Sequence, residues 1–195
     1  NLRTFLTWKA YRDKYRGDFK LSFFNEKMNY SDSASRIFST TNVNTIQTQY
    51  KIGFTYKNIE FEPIVQANYS QVNADGFANP VDRLESSVLL KAQQKIKRFG
   101  YDVMLRQTVL DDNLMPLIYG VGINYELIDK ERLTTKLTAS KNFRNPTLND
   151  LYWNVGGNIN LKPEDGWSSE LGFESTIKNN KFSLYGFYGL INNWI

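Results

Sequence analysis

The sequence predicts an all-β fold, a meander of about ten long antiparallel strands with no convincing helix. Three observations predict it. Apolar residues recur with a period of two rather than 3.6 along most of the chain. The runs that carry this period reach about ten residues, where about five or six is usual in a soluble sandwich. The connections between the runs alternate between tight turns and long polar segments.

Composition narrows the class. The chain has 195 residues, enough for one domain or two. Its mean hydropathy is −0.49, and no apolar run approaches the roughly 18–20 residues of a spanning helix. Aromatic residues make up 15% of the chain, too many for a disordered segment. There is no cysteine, so disulfide frameworks, cysteine zinc sites and thiol catalysis are excluded. There is no histidine, which removes Ser-His-Asp and Cys-His triads and HExxH zinc sites, so no enzyme is expected. The net charge is +4, and the basic residues are scattered rather than clustered, so nucleic acid is not an expected partner.

The strands follow in order. Runs over 2–12 and 18–30 read as weaker strands, and facing is blurred in the first of them and in the last run of the chain. From Thr45 to Lys57, Ile46, Tyr50, Ile52, Phe54 and Tyr56 share one face, against Gln47, Gln49, Lys51, Thr55 and Lys57. From Ile59 to Ser70, Phe61, Val65, Ala67 and Tyr69 alternate with Glu60, Glu62, Gln66 and Asn68. Runs over 83–96 and 100–110 carry a weaker version of the pattern. From Leu117 to Leu127, Tyr119, Val121, Ile123 and Tyr125 alternate with Gly120, Gly122, Asn124 and Glu126. Two further runs, Leu133–Ser140 and Trp167–Lys178, set Leu137 and Leu171 against Lys136 and Glu170, and a last weak run covers 181–192.

Tight connections are expected at Arg12–Asp18, Lys57-Asn58, Lys97–Gly100, Asp129-Lys130-Glu131 and Asn179-Asn180. Long ones are expected at Ser31–Asn44, Asn73–Val81, Asp111–Met115 and Asn142–Gly166. A meander with tight turns on one rim and long loops on the other is the pattern of a transmembrane β-barrel. The dimensions agree: ten residues rising about 3.3 Å each at a tilt near 45° climb roughly 23 Å, close to the apolar band of such a barrel. Aromatics near strand ends (Trp8, Tyr11, Tyr56, Tyr69, Tyr101, Tyr125, Trp167) suit a membrane–water boundary. The opposite faces are strongly polar, with Lys51, Glu60, Glu62, Lys91, Lys136, Glu170 and Glu174. The alternative is a soluble sandwich, including a carbohydrate-binding one, in which strand-end aromatics belong to the core or to a sugar site.

One segment is more specific. Asn142-Phe143-Arg144-Asn145-Pro146-Thr147-Leu148-Asn149-Asp150-Leu151-Tyr152-Trp153 ends one strand and opens the longest connection. Gly156-Gly157-Asn158-Ile159-Asn160-Leu161-Lys162-Pro163-Glu164 follows, and a strand with Glu170-Leu171-Gly172 resumes. These words resemble the late barrel of TonB-dependent outer-membrane receptors, at Phe143, Arg144, Pro146, Thr147, Leu148, Asp150, Leu151, Tyr152, Gly157, Asn158, Leu161, Lys162, Pro163, Glu164, Glu170 and Gly172. The Asn-Asp-Leu-Tyr-Trp version is most similar to the vitamin B12 receptor branch. Ferric-siderophore and colicin-receptor branches carry close relatives of the same words, and a haem receptor is a further alternative. Physical chemistry offers a structural reading of the same residues. Pro146 stops ladder pairing, Gly156-Gly157 allows a sharp return, and Arg144 is placed to pair with Glu164 or Glu170.

The resemblance implies a 22-stranded barrel with its lumen filled by an N-terminal plug. Residues 1–195 are then expected to form a partial β-barrel domain, an internal piece of a longer receptor with plug and further strands elsewhere. It implies the outer membrane of a Gram-negative bacterium, contact with lipid and lipopolysaccharide, coupling to TonB through the plug, and uptake of a small ligand such as cobalamin. A surface lipoprotein capping the barrel is compatible with it. No resident cofactor is expected. Loop aromatics Phe38, Phe77, Tyr152 and Trp153 are candidates to stack on a flat ligand. Asp111-Asp112-Asn113 offers oxygen ligands for calcium, without the twelve-residue spacing of a known calcium loop. A complete small barrel of eight to ten strands is the rival reading. An outer-membrane enzyme is disfavoured because its usual rim base, histidine, is missing.

An open sheet of this kind would present two unpaired edges and an apolar face. Expressed alone in plain buffer, the chain is expected to aggregate. A monomeric product that melts cooperatively without detergent would overturn that expectation.

Overall fold

A computed structural model describes residues 1–32, 37–128 and 133–194. The elements are β1 (Leu2–Arg12), β2 (Tyr15–Asp32), β3 (Ile37–Tyr56), β4 (Ile59–Ala74), β5 (Val81–Ile96), β6 (Phe99–Leu110), β7 (Asn113–Leu114), β8 (Ile118–Ile128), β9 (Leu133–Arg144), α1 (Leu148–Tyr152), β10 (Glu164–Ile177) and β11 (Asn180–Asn192). All strands belong to one antiparallel sheet in the order β1-β2-β3-β4-β5-β6-β8-β9-β10-β11, with β7 folded back on β6. Every expected run falls on one of the ten long strands. Among the described residues the sheet is open, with β1 and β11 as its edges rather than paired to each other as a small closed barrel requires. Among the described residues no helix is long and apolar enough to cross a membrane, which leaves crossing by strands open.

The strands run further than expected towards one rim. β3 begins at Ile37, and its Phe38 pairs with Ser31 of β2, so much of the expected Ser31–Asn44 loop is a continuing hairpin. Residues 33–36 of that connection, and the expected Asp129-Lys130-Glu131 turn, lie outside the described residues. The expected Asp111–Met115 loop is also a hairpin. Leu110 pairs with Asn113, leaving Asp111 and Asp112 at φ 46° and 65°, as a type I′ turn requires. Lys57-Asn58 turns in the same way at 49° and 64° on the opposite rim. Tight two-residue turns also occupy that rim at 13–14, 97–98 and 178–179. The rim with the long connections carries the segments 75–80 and 145–163.

Register assigns the two faces. Tyr50 pairs with Val65 and Val65 with Val88, while Leu90 pairs with Leu105 and Leu105 with Tyr119. These apolar residues share one face, and Lys51, Glu60, Glu62, Lys91, Lys136, Glu170 and Glu174 all share the other. Tyr11 is an exception to the expected aromatic boundary: it pairs with Arg16 and lies on the polar face. The polar face is the crowded, concave one. Its Ile64, Ser87, Leu89, Thr108 and Ile118 are buried, whereas Val65 and Val88 on the other face stay 54% and 48% exposed. Ion pairs lace the concave face, including Lys51–Glu62 at 3.4 Å, Arg16–Glu62 at 3.7 Å and Lys136–Glu174 at 2.7 Å.

The two faces exchange polarity near the long-loop rim. The outward face stays apolar up to Phe23, Ile46, Tyr69 and Leu84 on β2 to β5. The next outward positions are Asn25, Asn44, Gln71 and Asp82. Beyond that boundary the inward face turns apolar, with Val43 beside Val72 and Val72 beside Val81. Val72, Ala74 and Phe77 form a buried cluster there, packed against Val43, Val81 and Leu148. A surface that meets hydrocarbon along its length and water beyond it requires this switch. On β4 the outward apolar stretch runs from Ile59 to Tyr69, about 25 Å of height at a tilt near 45°.

Leu90 lies midway along the outward stretch of β5. Reconstituted in a bilayer, the protein with Leu90→Arg is expected to lose about 2–4 kcal/mol of folding stability. Gln49→Arg, on the concave face, should change it far less; equal losses in a denaturant-titrated refolding assay would reverse the assignment of faces.

Candidate functional site

The long-loop rim is built on a helix that period-two reading did not expect. Strand β9 ends at Arg144, and Pro146 is buried with its carbonyl accepting from Arg83 Nη1 at 3.1 Å. α1 starts immediately afterwards. Thr147 is its N-cap: the hydroxyl accepts from the Asp150 N–H at 3.2 Å, and the Asp150 carboxylate accepts from the Thr147 N–H at 2.7 Å. This capping box satisfies two helix-end donors reciprocally. Hydrogen bonding to the Thr147 side chain, then to its backbone N–H, holds the Asp150 carboxyl below its usual range, with attraction from Arg144 adding to it. The sequence signal was present as Thr147-x-x-Asp150, but five residues are too few to show a helical period.

The rest of the segment folds back on α1. Gly156 has φ +132°, a conformation that side chains rarely adopt. Gly157 sits so close that a Cβ there would meet the Trp153 backbone at 2.6 Å. The Asn158 N–H donates to the Asp150 carbonyl at 2.8 Å, its Oδ1 accepts from the Asn160 N–H at 3.0 Å, and its own carbonyl accepts from the Leu161 N–H at 3.2 Å. Leu151, Leu161 and Pro163 are half-buried, and Lys162 is exposed. At the base, Arg144 pairs in register with Glu164, with Nη1 to Oε1 at 3.4 Å, and Glu164 is buried. Glu170 lies lower on the concave face, opposite Thr138. Phe143 is half-buried at the end of β9.

Three of the four candidate aromatics come together. Phe77 is 7% exposed and forms an isolated β-bridge with Trp153. Its ring lies 6.4 Å from Trp153, edge-on, and 6.3 Å from Tyr152. The Asn154 N–H donates to the Gly76 carbonyl at 2.8 Å, and the Trp153 ring lies on Gly76, where a Cβ would approach it to 2.2 Å. Tyr152 and Trp153 are each 39% exposed. The fourth candidate, Phe38, stands apart at the tip of the β2–β3 hairpin and is 70% exposed. Segments 75–80 and 145–163 are therefore one platform. Asp75, which sequence reading passed over, ties that platform to β3: its carboxylate accepts from the Thr40 N–H at 2.7 Å, and its own N–H donates to the Thr40 carbonyl at 3.1 Å.

The candidate calcium residues are otherwise engaged. Asp111 Oδ1 accepts from the Leu84 N–H at 2.7 Å, and Asn113 Nδ2 donates to the Asp111 carbonyl at 2.9 Å. Among the described residues no group of three or more Asp and Glu side chains is placed to hold a metal ion. Below the platform, on the concave face, Arg83, Glu85, Arg106 and Thr108 line an open cavity of about 450 Å³, with Asn145 and Thr147 of the loop along its side. No motif in the sequence marked this cavity.

Comparison with known proteins gives a consistent result. The family described as TonB dependent receptor-like, beta-barrel, matches residues 1–195. The chain is 61% identical over 114 residues to the vitamin B12 transporter BtuB of Vibrio vulnificus, covering 56% of this chain and 19% of that protein. It is 30% identical over 118 residues to the BtuB of Photobacterium profundum, covering 58% and 18%. The match thus spans about a fifth of the length of either relative. Among solved structures, the siderophore receptor PirA from Pseudomonas aeruginosa superimposes with TM-score 0.83 at 14% identity, over 96% of this chain and 38% of that one. The ferric enterobactin receptor PfeA does so with TM-score 0.78 at 14% identity, over 95% and 34%. At such identities these two structures speak to the fold alone.

The α1 cap generates a pH expectation. Asp150 is held below its usual range, so its contribution to the loop is complete above the ordinary carboxylate pKa, near 4, and is lost as pH falls through the lower folded value. In the folded protein, protease cleavage within 145–163 should rise on acidification through that window. Asp150→Asn should remove the pH step, and Thr147→Ala should loosen the loop by about 1 kcal/mol at neutral pH.

Proposed function

We propose that this chain, which belongs to the TonB dependent receptor-like, beta-barrel family, forms part of the wall and outer rim of a receptor that takes up vitamin B12. Family membership implies the outer membrane of a Gram-negative bacterium. The observation that carries the ligand is the 61% identity over 114 residues to a vitamin B12 transporter. Nothing in the mechanism is bond chemistry. The scarce ligand binds at the long-loop rim, and energy delivered by TonB to a plug in the lumen opens the path inward. Those parts belong to the rest of the receptor, as does any capping lipoprotein.

Each part of this chain has a role in that reading. The outward apolar face meets lipid and, at its upper edge, lipopolysaccharide. The concave face, with its Lys, Arg, Glu and Gln side chains, forms the polar lumen wall. Tyr152 and Trp153 offer half-exposed aromatic faces to a flat corrin ring, Phe77 supports them from beneath, and Phe38 makes a separate contact from the β2–β3 tip. The motif residues from Phe143 to Glu164 shape the loop that presents the pair.

The test uses the full-length receptor purified in detergent, titrated with cyanocobalamin and, separately, with ferric enterobactin. Cyanocobalamin is expected to bind and the siderophore is not. Trp153→Ala and Tyr152→Ala should each weaken cyanocobalamin binding by up to about tenfold, the worth of one aromatic contact. Binding of the siderophore alone would transfer the protein to another branch of the family.

A further inference from the structure

The cavity under the platform has an unusual charge arrangement. Arg83 and Arg106 both project from the concave face into its lining, and neither forms an ion pair with a carboxylate among the described residues. Each directs a terminal nitrogen at a neutral acceptor instead: Arg83 at the Pro146 carbonyl, 3.1 Å away, and Arg106 at the Gln66 side chain. The Nε of each is buried with no acceptor, and so is the Asn145 Oδ1 with no donor. A buried, unmet donor is costly, and more so when it is charged. Two guanidinium groups that lack a carboxylate partner line one space of about 450 Å³, which leaves their positive charge to be met by an acceptor that the chain itself does not supply.

We infer that Arg83 and Arg106 form an oxyanion site at the mouth of the lumen, which takes a phosphate-type group of the ligand. The planar, permanently charged fork of arginine matches tetrahedral oxyanions, and the two arginines line one cavity from neighbouring strands. Glu85 lines the same cavity and is the one carboxylate there, so it opposes the anion and sets its affinity. The Arg83 bond to Pro146 anchors the loop above, so the site lies directly beneath the aromatic platform. A space of this size is within the range of small-molecule pockets and exceeds what a bare oxyanion needs, so the anion is one group of a larger molecule. On the vitamin B12 reading, on which this part of the inference rests, the group is the phosphodiester of the nucleotide arm.

The experiment uses the full-length receptor in detergent and two probes. The first is inorganic phosphate, followed by calorimetry. Arg106→Gln should weaken phosphate binding about tenfold, the loss of one charge-assisted donor, and Glu85→Gln should tighten it several-fold. Arg106 bonds to Gln66 on a strand rather than to the loop, and Glu85→Gln gains affinity, which a damaged fold would not do. Absence of phosphate binding in the wild type, or equal binding by all three proteins, overturns the site; the lumen arginines would then serve an acceptor within the receptor. The second probe is the pair cyanocobalamin and dicyanocobinamide, which lacks the phosphodiester arm. Arg106→Gln should weaken the first about tenfold and leave the second unchanged, and equal losses for both would overturn the phosphodiester assignment. Phosphate binding in a receptor that takes neither corrinoid would keep the oxyanion site and remove the vitamin B12 reading.

Discussion

A strand in hydrocarbon has no water to satisfy its backbone, so it must pair on both sides with other strands. Its side chains then alternate between lipid and lumen, and this alternation governs the rest of the molecule. It places Tyr50, Val65, Leu90 and Leu105 outward and Lys51, Glu62 and Lys91 inward. It also explains why the inward face holds ion pairs while the outward face holds large exposed apolar groups, an arrangement opposite to that of a soluble sandwich. Where the hydrocarbon stops, the constraint lapses and the faces exchange: Val43, Val72 and Val81 turn inward and become the floor on which the loop platform rests.

The same physics decides what could be read from the residues alone. Strands inside the lipid band have one apolar and one polar face, and the most regular of them, β3, β4, β8, β9 and β10, were visible as runs of period two. The upper part of β3 was not, because water bathes it and residues such as Asn25, Asn42 and Asn44 bond to one another across strands instead. The stretch 37–44 therefore looked like loop although it pairs in register throughout. Asp111-Asp112 looked like a loop for another reason: two aspartates at positive φ make a hairpin that is usually written with asparagine and glycine.

The candidate site was legible in its parts and not in its assembly. Tyr152, Trp153 and Phe77 stood out as loop aromatics, but only the folded chain brings residues 77 and 153 into a bridge while leaving Phe38 at a distance. The cavity below was invisible. Arg83, Glu85 and Arg106 lie on two weakly patterned strands, and an arginine facing a barrel lumen has no local signature that separates it from any other inward charge.

The Trp153 ring lying on the bare backbone of Gly76 has a consequence for protein engineering. Loops of such barrels invite exchange, because each appears to hang from its own pair of strands. Here the 145–163 segment is seated on a neighbour more than sixty residues earlier in the chain, and the seat admits no side chain at Gly76. A chimera that imports only the later segment would set a foreign surface on a mould cut for Trp153 and Asn154. The exchangeable unit is the pair of segments, 75–80 together with 145–163, grafted as one piece.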